Sequence, residues 1–279
     1  MLTTGLKQFG HELLRHFAAT LTSSQYRRRR REIKRLRSLA RYQPGESALP
    51  GTTVRFMDSG SFLFGYEQIF VNQVYRFQPR HEPVTILDCG ANIGLSVLYF
   101  KRLAPRCRIL AFEPDPAIFQ VLAKNCARLD GVELVNRAVW TAAGNLDFWA
   151  EGSDAGRLAS LGERPSDASP TRVAAVRLRD YLGDQPIDLL KLDIEGAEAD
   201  VLADCADRLG AIERIFLEYH SLRGRAQRLD EILAILRRAG FRLHIQPELV
   251  SPTPFVDRRE SWGMDQRLNL FAYRDAVGR

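Results

Sequence analysis

The 279-residue sequence is short of everything that would place it in a specialised structural class. It has only four cysteines, Cys89, Cys107, Cys126 and Cys205, with neither a CxxC pair nor a histidine cluster beside them. That spacing closes no tetrahedral zinc site, so the thiols are expected to be reduced and mostly buried. No run approaches the roughly 20 apolar residues that span a bilayer, and the amino terminus lacks the pattern of a secretory signal. The chain is therefore expected to be cytoplasmic. With 45% hydrophobic and 27% charged residues it is neither disordered nor fibrous, and its length suffices for one large domain with a small appendage.

Net positive charge is missing outside the first segment. Residues 1–42 hold eleven Lys or Arg against two Glu, a balance of +9, and the total of +6 leaves −3 for the rest. In this leader Leu2, Leu6, Phe9, Leu13 and Phe17 recur at helical spacing, which predicts an amphipathic helix. From Tyr26 to Tyr42 follow five consecutive arginines, Arg27 to Arg31, and a thin apolar row of Ile33, Leu36 and Leu39. One reading lays the leader on an anionic membrane surface as a peripheral contact. The plainer reading, which we favour, packs it on the domain or against a dimer partner. No aromatic stacking platform accompanies the charge, so no specific nucleic-acid contact is expected. Pro44-Gly45 and Pro50-Gly51 punctuate the chain and divide it into a basic helical extension, 1–50, and a main domain, 51–279.

From about residue 84 short apolar runs alternate with helical periods, the signature of βα units on a parallel sheet. Strands are predicted over 84–88, 108–113, 132–136, 187–193, 212–219, 241–245 and 268–273. Helices are predicted over 95–103, 117–129, 197–208 and 228–240. The glycine- and proline-rich stretch between 145 and 171 predicts loops with at most a hairpin, rather than a core element. The long connection over 246–267 suits an antiparallel return of the last strand. The fold class is thus α/β, a doubly wound and mostly parallel sheet.

The run VTILDCGANIG over 84–94 carries the strongest chemical signal. An apolar strand ends in Asp88, and Gly90 and Gly94 then let the backbone turn tightly before a helix whose first N–H groups are unpaired. A dinucleotide site would show G-x-G-x-x-G and would not place a carboxylate against a pyrophosphate. A cofactor carrying an amino group and a sulfonium, S-adenosylmethionine, fits the sign of Asp88 better. Nineteen residues beyond Gly94, Glu113 ends the second strand in RILAFEP, placed to accept hydrogen bonds from two ribose hydroxyls. Asn136, at the tip of the third strand, is a candidate reader of the adenine amine and equally a turn former.

The fourth strand ends in LKLDIEGAE over 190–198, which brings Lys191, Asp193 and Glu195 to the carboxyl edge where ligands bind in such folds. The fifth ends in LEYH over 217–220, adding His220. Asp193 and His220 are the first candidates for a general base. Asp193 and Glu195 could hold a divalent ion, but two carboxylates do not specify one, and no metal is assigned.

LDCGANIG over 87–94 and KLDIEGAE over 191–198, supported by FEP over 112–114, LEYH and LNLFA over 268–272, resemble the FkbM family of class I, Rossmann-like methyltransferases across residues 52–274. The resemblance implies seven strands in the order 3-2-1-4-5-7-6 with strand 7 antiparallel. It also implies S-adenosyl-L-methionine as cofactor and methylation of an oxygen on a sugar, polyketide or other small metabolite. Asp88, Gly90, Ala91, Asn92 and Gly94 would then hold the methionine and ribose side, Glu113 and the following Pro114 the ribose. Lys191, Asp193, Glu195 and His220 would stand at the methyl-acceptor end. The alternatives are an NAD-dependent oxidoreductase and a membrane-recruited protein that binds the cofactor without turnover.

Overall fold

The computed structural model describes residues 23–150, 156–158, 170–261 and 263–274. The helix expected over 2–17 and much of the 145–171 stretch lie outside these residues. The chain divides into two compact units, Met1–Phe77 and Gln78–Arg279.

In the first unit helix α1 (Ser23–Arg37) is followed by a small antiparallel hairpin, β1 (Gly45–Ser47) with β2 (Val54–Phe56), and by α2 (Ser59–Tyr66). The thin apolar row predicted for α1 buries only Leu36 completely, while Arg27, Arg28, Arg30, Arg31, Lys34 and Arg37 stay in solvent. Asp58 starts α2 by accepting the Ser61 N–H at 2.8 Å, and Arg41 pairs with the same carboxylate. A row of stacked rings, Phe56, Phe62, Tyr66 and Phe70, fills the space behind it.

The second unit is built on a seven-stranded sheet. Its strands are β3 (Thr85–Cys89), β4 (Arg108–Phe112), β5 (Val132–Val135), β10 (Leu189–Leu192), β11 (Arg214–Leu222), β12 (Arg242–Leu249) and β13 (Met264–Tyr273). They lie in the order β5-β4-β3-β10-β11-β13-β12, with only β13 antiparallel to its neighbours. This is the order that the resemblance implied. The inner strands β3 and β10 are buried nearly from end to end, so both faces must be covered by helices. Helices α3 (Leu95–Leu103), α4 (Pro116–Cys126), α5 (Glu198–Asp204) and α6 (Leu229–Arg238) connect them. The core runs through Leu87, Phe112, Leu190, Leu192, Leu217 and Leu236. All four cysteines are buried free thiols.

Two expectations change. The hairpin allowed for within 145–171 is present as β7 (Gly144–Ala150) with β8 (Gly156–Leu158), but it belongs to a second sheet with β6 (Ala138–Trp140) and β9 (Thr171–Arg177), in the order β6-β9-β7-β8. Phe148, Trp149 and Val173 are buried, and Phe148 and Val173 join the core, which the composition of the stretch did not foretell. The last hairpin is also longer than predicted, and its connection shrinks to 250–263. Pro247 is tolerated within β12 because that strand is the sheet edge, where a missing N–H costs little.

Candidate active site

The turn after β3 is shaped by two glycines. Gly90 has φ +89°, and a Cβ there would lie 1.9 Å from the Asp193 carbonyl oxygen, so the β3 and β10 turns touch only because Gly90 has no side chain. Gly94 has φ +91° and caps α3; a Cβ there would press on Leu122 at 2.8 Å. The turn is held from β4, since Phe112 O accepts the N–H groups of Gly90 and Ala91 at 3.0 and 2.9 Å. Ala91 is thereby buried beneath the turn.

Glu113 follows β4 and is also nearly buried. Its carboxylate accepts the Asn92 N–H and the Asp115 N–H, each at 2.9 Å, which ties the β3 turn to the start of α4. Burial outweighs those two bonds and pushes the carboxyl up to about 8. Asp115 caps α4 through the N–H groups of Ala117 and Ile118. Gly90, Asn92, Glu113, Pro114, Asp193 and Glu195 line one continuous cleft, whose inner wall is apolar at Ile118, Val139 and Phe148.

Three expected residues have different duties. Asp88 is fully buried and does not line the cleft; Ser96 Oγ donates to it at 2.5 Å and Lys191 pairs with it at 3.3 Å. Its charge is compensated on the spot, so attraction of a sulfonium by a bare carboxylate does not describe it. Lys191 does not reach an acceptor either. With 2% of its side chain exposed, its Nζ donates to Gly90 O at 2.8 Å and pairs with Asp193 at 3.2 Å. Register explains the pairing, since Lys191 is the direct neighbour of Asp88 across β10 and β3. Asn136 donates its amide to the carbonyls of Glu113 and Pro114, at 2.8 and 3.1 Å, and so clamps the turn instead of reading a base.

At the other end of the cleft the carboxyl ends of β10 and β11 gather charge. Glu195 has φ +54°, a left-handed conformation that costs a non-glycine residue about 1 kcal/mol or more. Glu198, at the start of α5, holds that turn by accepting the N–H groups of Ile194 and Gly196 at 3.2 and 3.0 Å. The same Glu198 oxygen meets His220 Nδ1 at 2.9 Å, while His220 Nε2 faces Glu218 at 3.4 Å and Glu195 at 3.6 Å. Burial would lower the imidazole, but these three carboxylates carry it well above 6.5. Both ring nitrogens thus face carboxylates, which favours the charged imidazole over the neutral form that a general base needs.

Burial pushes Asp193 upward and Glu195 up to about 7, although 28% of the Glu195 side chain still meets solvent. Partial burial would raise Glu218 too, but His220 and Arg267 hold it down at about 2. Glu248 on β12 and Arg267 on β13 complete the cluster, with Arg267 Nε at 3.1 Å from Glu218 and 3.0 Å from Glu248. Burial and the neighbouring Glu218 push Glu248 up to about 8. Sequence reasoning missed Glu248 and Arg267, because both fell in the segment read as a connection. It quoted Glu198 without assigning it a role, though a carboxylate three residues after Glu195 in a first helical turn is a recognisable reach-back signal.

Residues 88–243 match the model of the methyltransferase FkbM domain, more than half of the chain. The chain belongs to the FkbM methyltransferase family. Among its relatives is Methyltransferase 1 of Beauveria bassiana, 32% identical over 52% of this chain and 67% of that protein. The 31-O-demethyl-FK506 methyltransferase FkbM of Streptomyces tacrolimicus is 29% identical over 68% of this chain and 86% of its own. The 2-O-methyltransferase NoeI of Sinorhizobium fredii is 29% identical over 53% and 67%. S-adenosylmethionine is accordingly the cofactor, and a nicotinamide oxidoreductase is not favoured. The cleft suits it: Glu113 offers carboxylate lone pairs to ribose hydroxyls, the apolar wall offers a face for adenine, and Gly90 leaves the turn bare. Among the described residues no helix is long and apolar enough to cross a membrane.

Proposed function

We propose that this FkbM-family enzyme transfers the methyl group of S-adenosylmethionine to a hydroxyl oxygen of a small-molecule or glycan acceptor. The carrying observation is that Asp193 and Glu195 line the same cleft as the cofactor residues Gly90, Asn92 and Glu113. As the acceptor oxygen attacks the methyl carbon, the carbon–sulfur bond breaks, the carbon–oxygen bond forms and the hydroxyl proton leaves into the acidic wall. An amine acceptor would be kept protonated by the same carboxylates and would lose its nucleophilic lone pair. The FkbM and NoeI relatives, a 31-O-demethyl-FK506 methyltransferase and a 2-O-methyltransferase, support this reading.

The protein's contribution is mainly alignment, which can lower a barrier by several kcal/mol, roughly 7 at the low end of well-oriented intramolecular reactions. The test is transfer of a radiolabelled methyl group to a panel of sugars and hydroxylated macrolides, followed by identification of the labelled bond. A methyl ether, lost with Asp193→Ala, is expected. Label recovered as a methylamine or methyl ester, or equal labelling by the variant, would overturn the proposal.

A further inference from the structure

The charges around His220 do not balance. Among the described residues, Asp88, Asp193, Glu195, Glu198, Glu218 and Glu248 make contacts of 3.6 Å or less with three cationic side chains, Lys191, Arg267 and His220. Uncompensated charge is costly in a buried site, so the surplus calls for another cation or for bound protons.

His220 shows where a cation belongs. Its side chain is 1% exposed, and Glu198 holds Nδ1 from behind at 2.9 Å. Nε2 faces Glu218 at 3.4 Å and Glu195 at 3.6 Å, beyond the roughly 2.7–3.2 Å of a well-formed N–H···O bond, and Glu195 itself lines the cleft. A carboxylate on the far nitrogen of an imidazole is the arrangement that fixes the ring of a metal-binding histidine. One donor atom each from Asp193, Glu195 and His220 already lie within 4.8 Å of one another. Donors about 2.1 Å from a shared ion are about 3.0 Å apart when adjacent and about 4.2 Å when opposite, so small side-chain shifts close the set.

We propose that Asp193, Glu195 and His220 form a divalent-cation site at the acceptor end of the cleft, with Glu198 as the residue that positions the imidazole. Two carboxylate oxygens and one imidazole nitrogen suit a Mn²⁺-type ion, whose remaining positions are left for water and an acceptor oxygen. The site stands on the geometry of the cluster, so a methyl acceptor other than a hydroxyl would leave it intact.

The test is pulsed electron paramagnetic resonance of Mn²⁺ added to the full chain with S-adenosylhomocysteine, which lacks the sulfonium charge. One retained Mn²⁺ per chain with coupling to an imidazole nitrogen is expected. That coupling should vanish in His220→Asn, and Glu195→Gln should weaken Mn²⁺ binding about tenfold or more. The nitrogen signal is read on the unaltered protein, so a variant that fails to fold does not blur the result. No retention at about 1 mM Mn²⁺, or retention without nitrogen coupling, overturns the site. Either result would mean that protons or the cofactor's own sulfonium balance the charge.

Discussion

The two ends of the cleft are finished to different degrees. At the cofactor end the polar groups meet well-formed partners: Glu113 with two N–H groups at 2.9 Å, Asn136 across two carbonyls, Phe112 O beneath the Gly90 turn. At the acceptor end several contacts are ion pairs of 3.2 to 3.6 Å, and carboxylates outnumber cations. The first end is assembled in advance for one invariant ligand. The second carries charge that bound protons or an incoming cation must settle, as a region that serves the chemistry and adapts to a particular acceptor would.

The largest effect should come from the point where the two ends touch. Gly90→Ala forces a Cβ against the Asp193 carbonyl at positive φ, and should cost roughly 3 kcal/mol or more of stability and abolish cofactor binding. Thermal melts and calorimetric titration with S-adenosylmethionine check this. Normal binding would mean that the two turns are not in rigid register.

Next in size is Glu198→Gln, which keeps the shape but removes the charge behind His220. Methyl transfer should fall by up to about 100-fold with cofactor affinity nearly unchanged, since misplacement of acceptor-side groups acts on the reaction rather than on cofactor binding. An equal loss of cofactor affinity would show that the two ends are not separable.

Glu113→Gln should do the reverse and weaken S-adenosylmethionine binding by about 10-fold or more, because charge-assisted bonds contribute roughly 1.5–3 kcal/mol each. It also has a pH signature. The carboxyl titrates at about 8 when folded against 4.5 when unfolded, so the folded state keeps a proton that the unfolded state has lost. The stability of the cofactor-free protein therefore declines as pH rises from about 4.5 to 8, and the variant should lack that part of the decline. Melting curves at both ends of this window, compared between the two proteins, decide the matter.

The smallest effect is expected for Asn136→Ala. If Asn136 clamps the turn, cofactor affinity should fall less than about fivefold, with a melting loss of a few degrees, roughly the value of one or two neutral hydrogen bonds. A selective loss of adenine recognition, measured with a purine-modified analogue, would restore it as a base reader.

Much of this molecule was legible in its sequence. The strands and helices of the main sheet follow from alternating periods, their order in the sheet came only with the family resemblance, and Glu113 was placed by its distance from the glycine turn. Asp88 was harder, because its sign was read without the lysine that parallel register sets beside it. The second sheet escaped because Phe148 and Val173 sit in strands that flank a stretch whose glycine and proline content reads as loop. Glu248 and Arg267 escaped because Pro247 disguises an edge strand, and no local pattern shows that β12 and β13 carry their charges toward Glu218. Spacing along one segment is written locally; a cluster assembled from four strands and a helix is not.

Lys191 has one more consequence. Its ammonium grips the hinge carbonyl of Gly90 on one side and the carboxylate of Asp193 on the other, so a single buried side chain rivets the seats of both substrates. The Asp193 carboxylate and the Gly90 carbonyl are thus tied to one ammonium and cannot be displaced independently of it. With a ligand in each turn, this shared ammonium is the contact through which binding at one would be coupled to binding at the other.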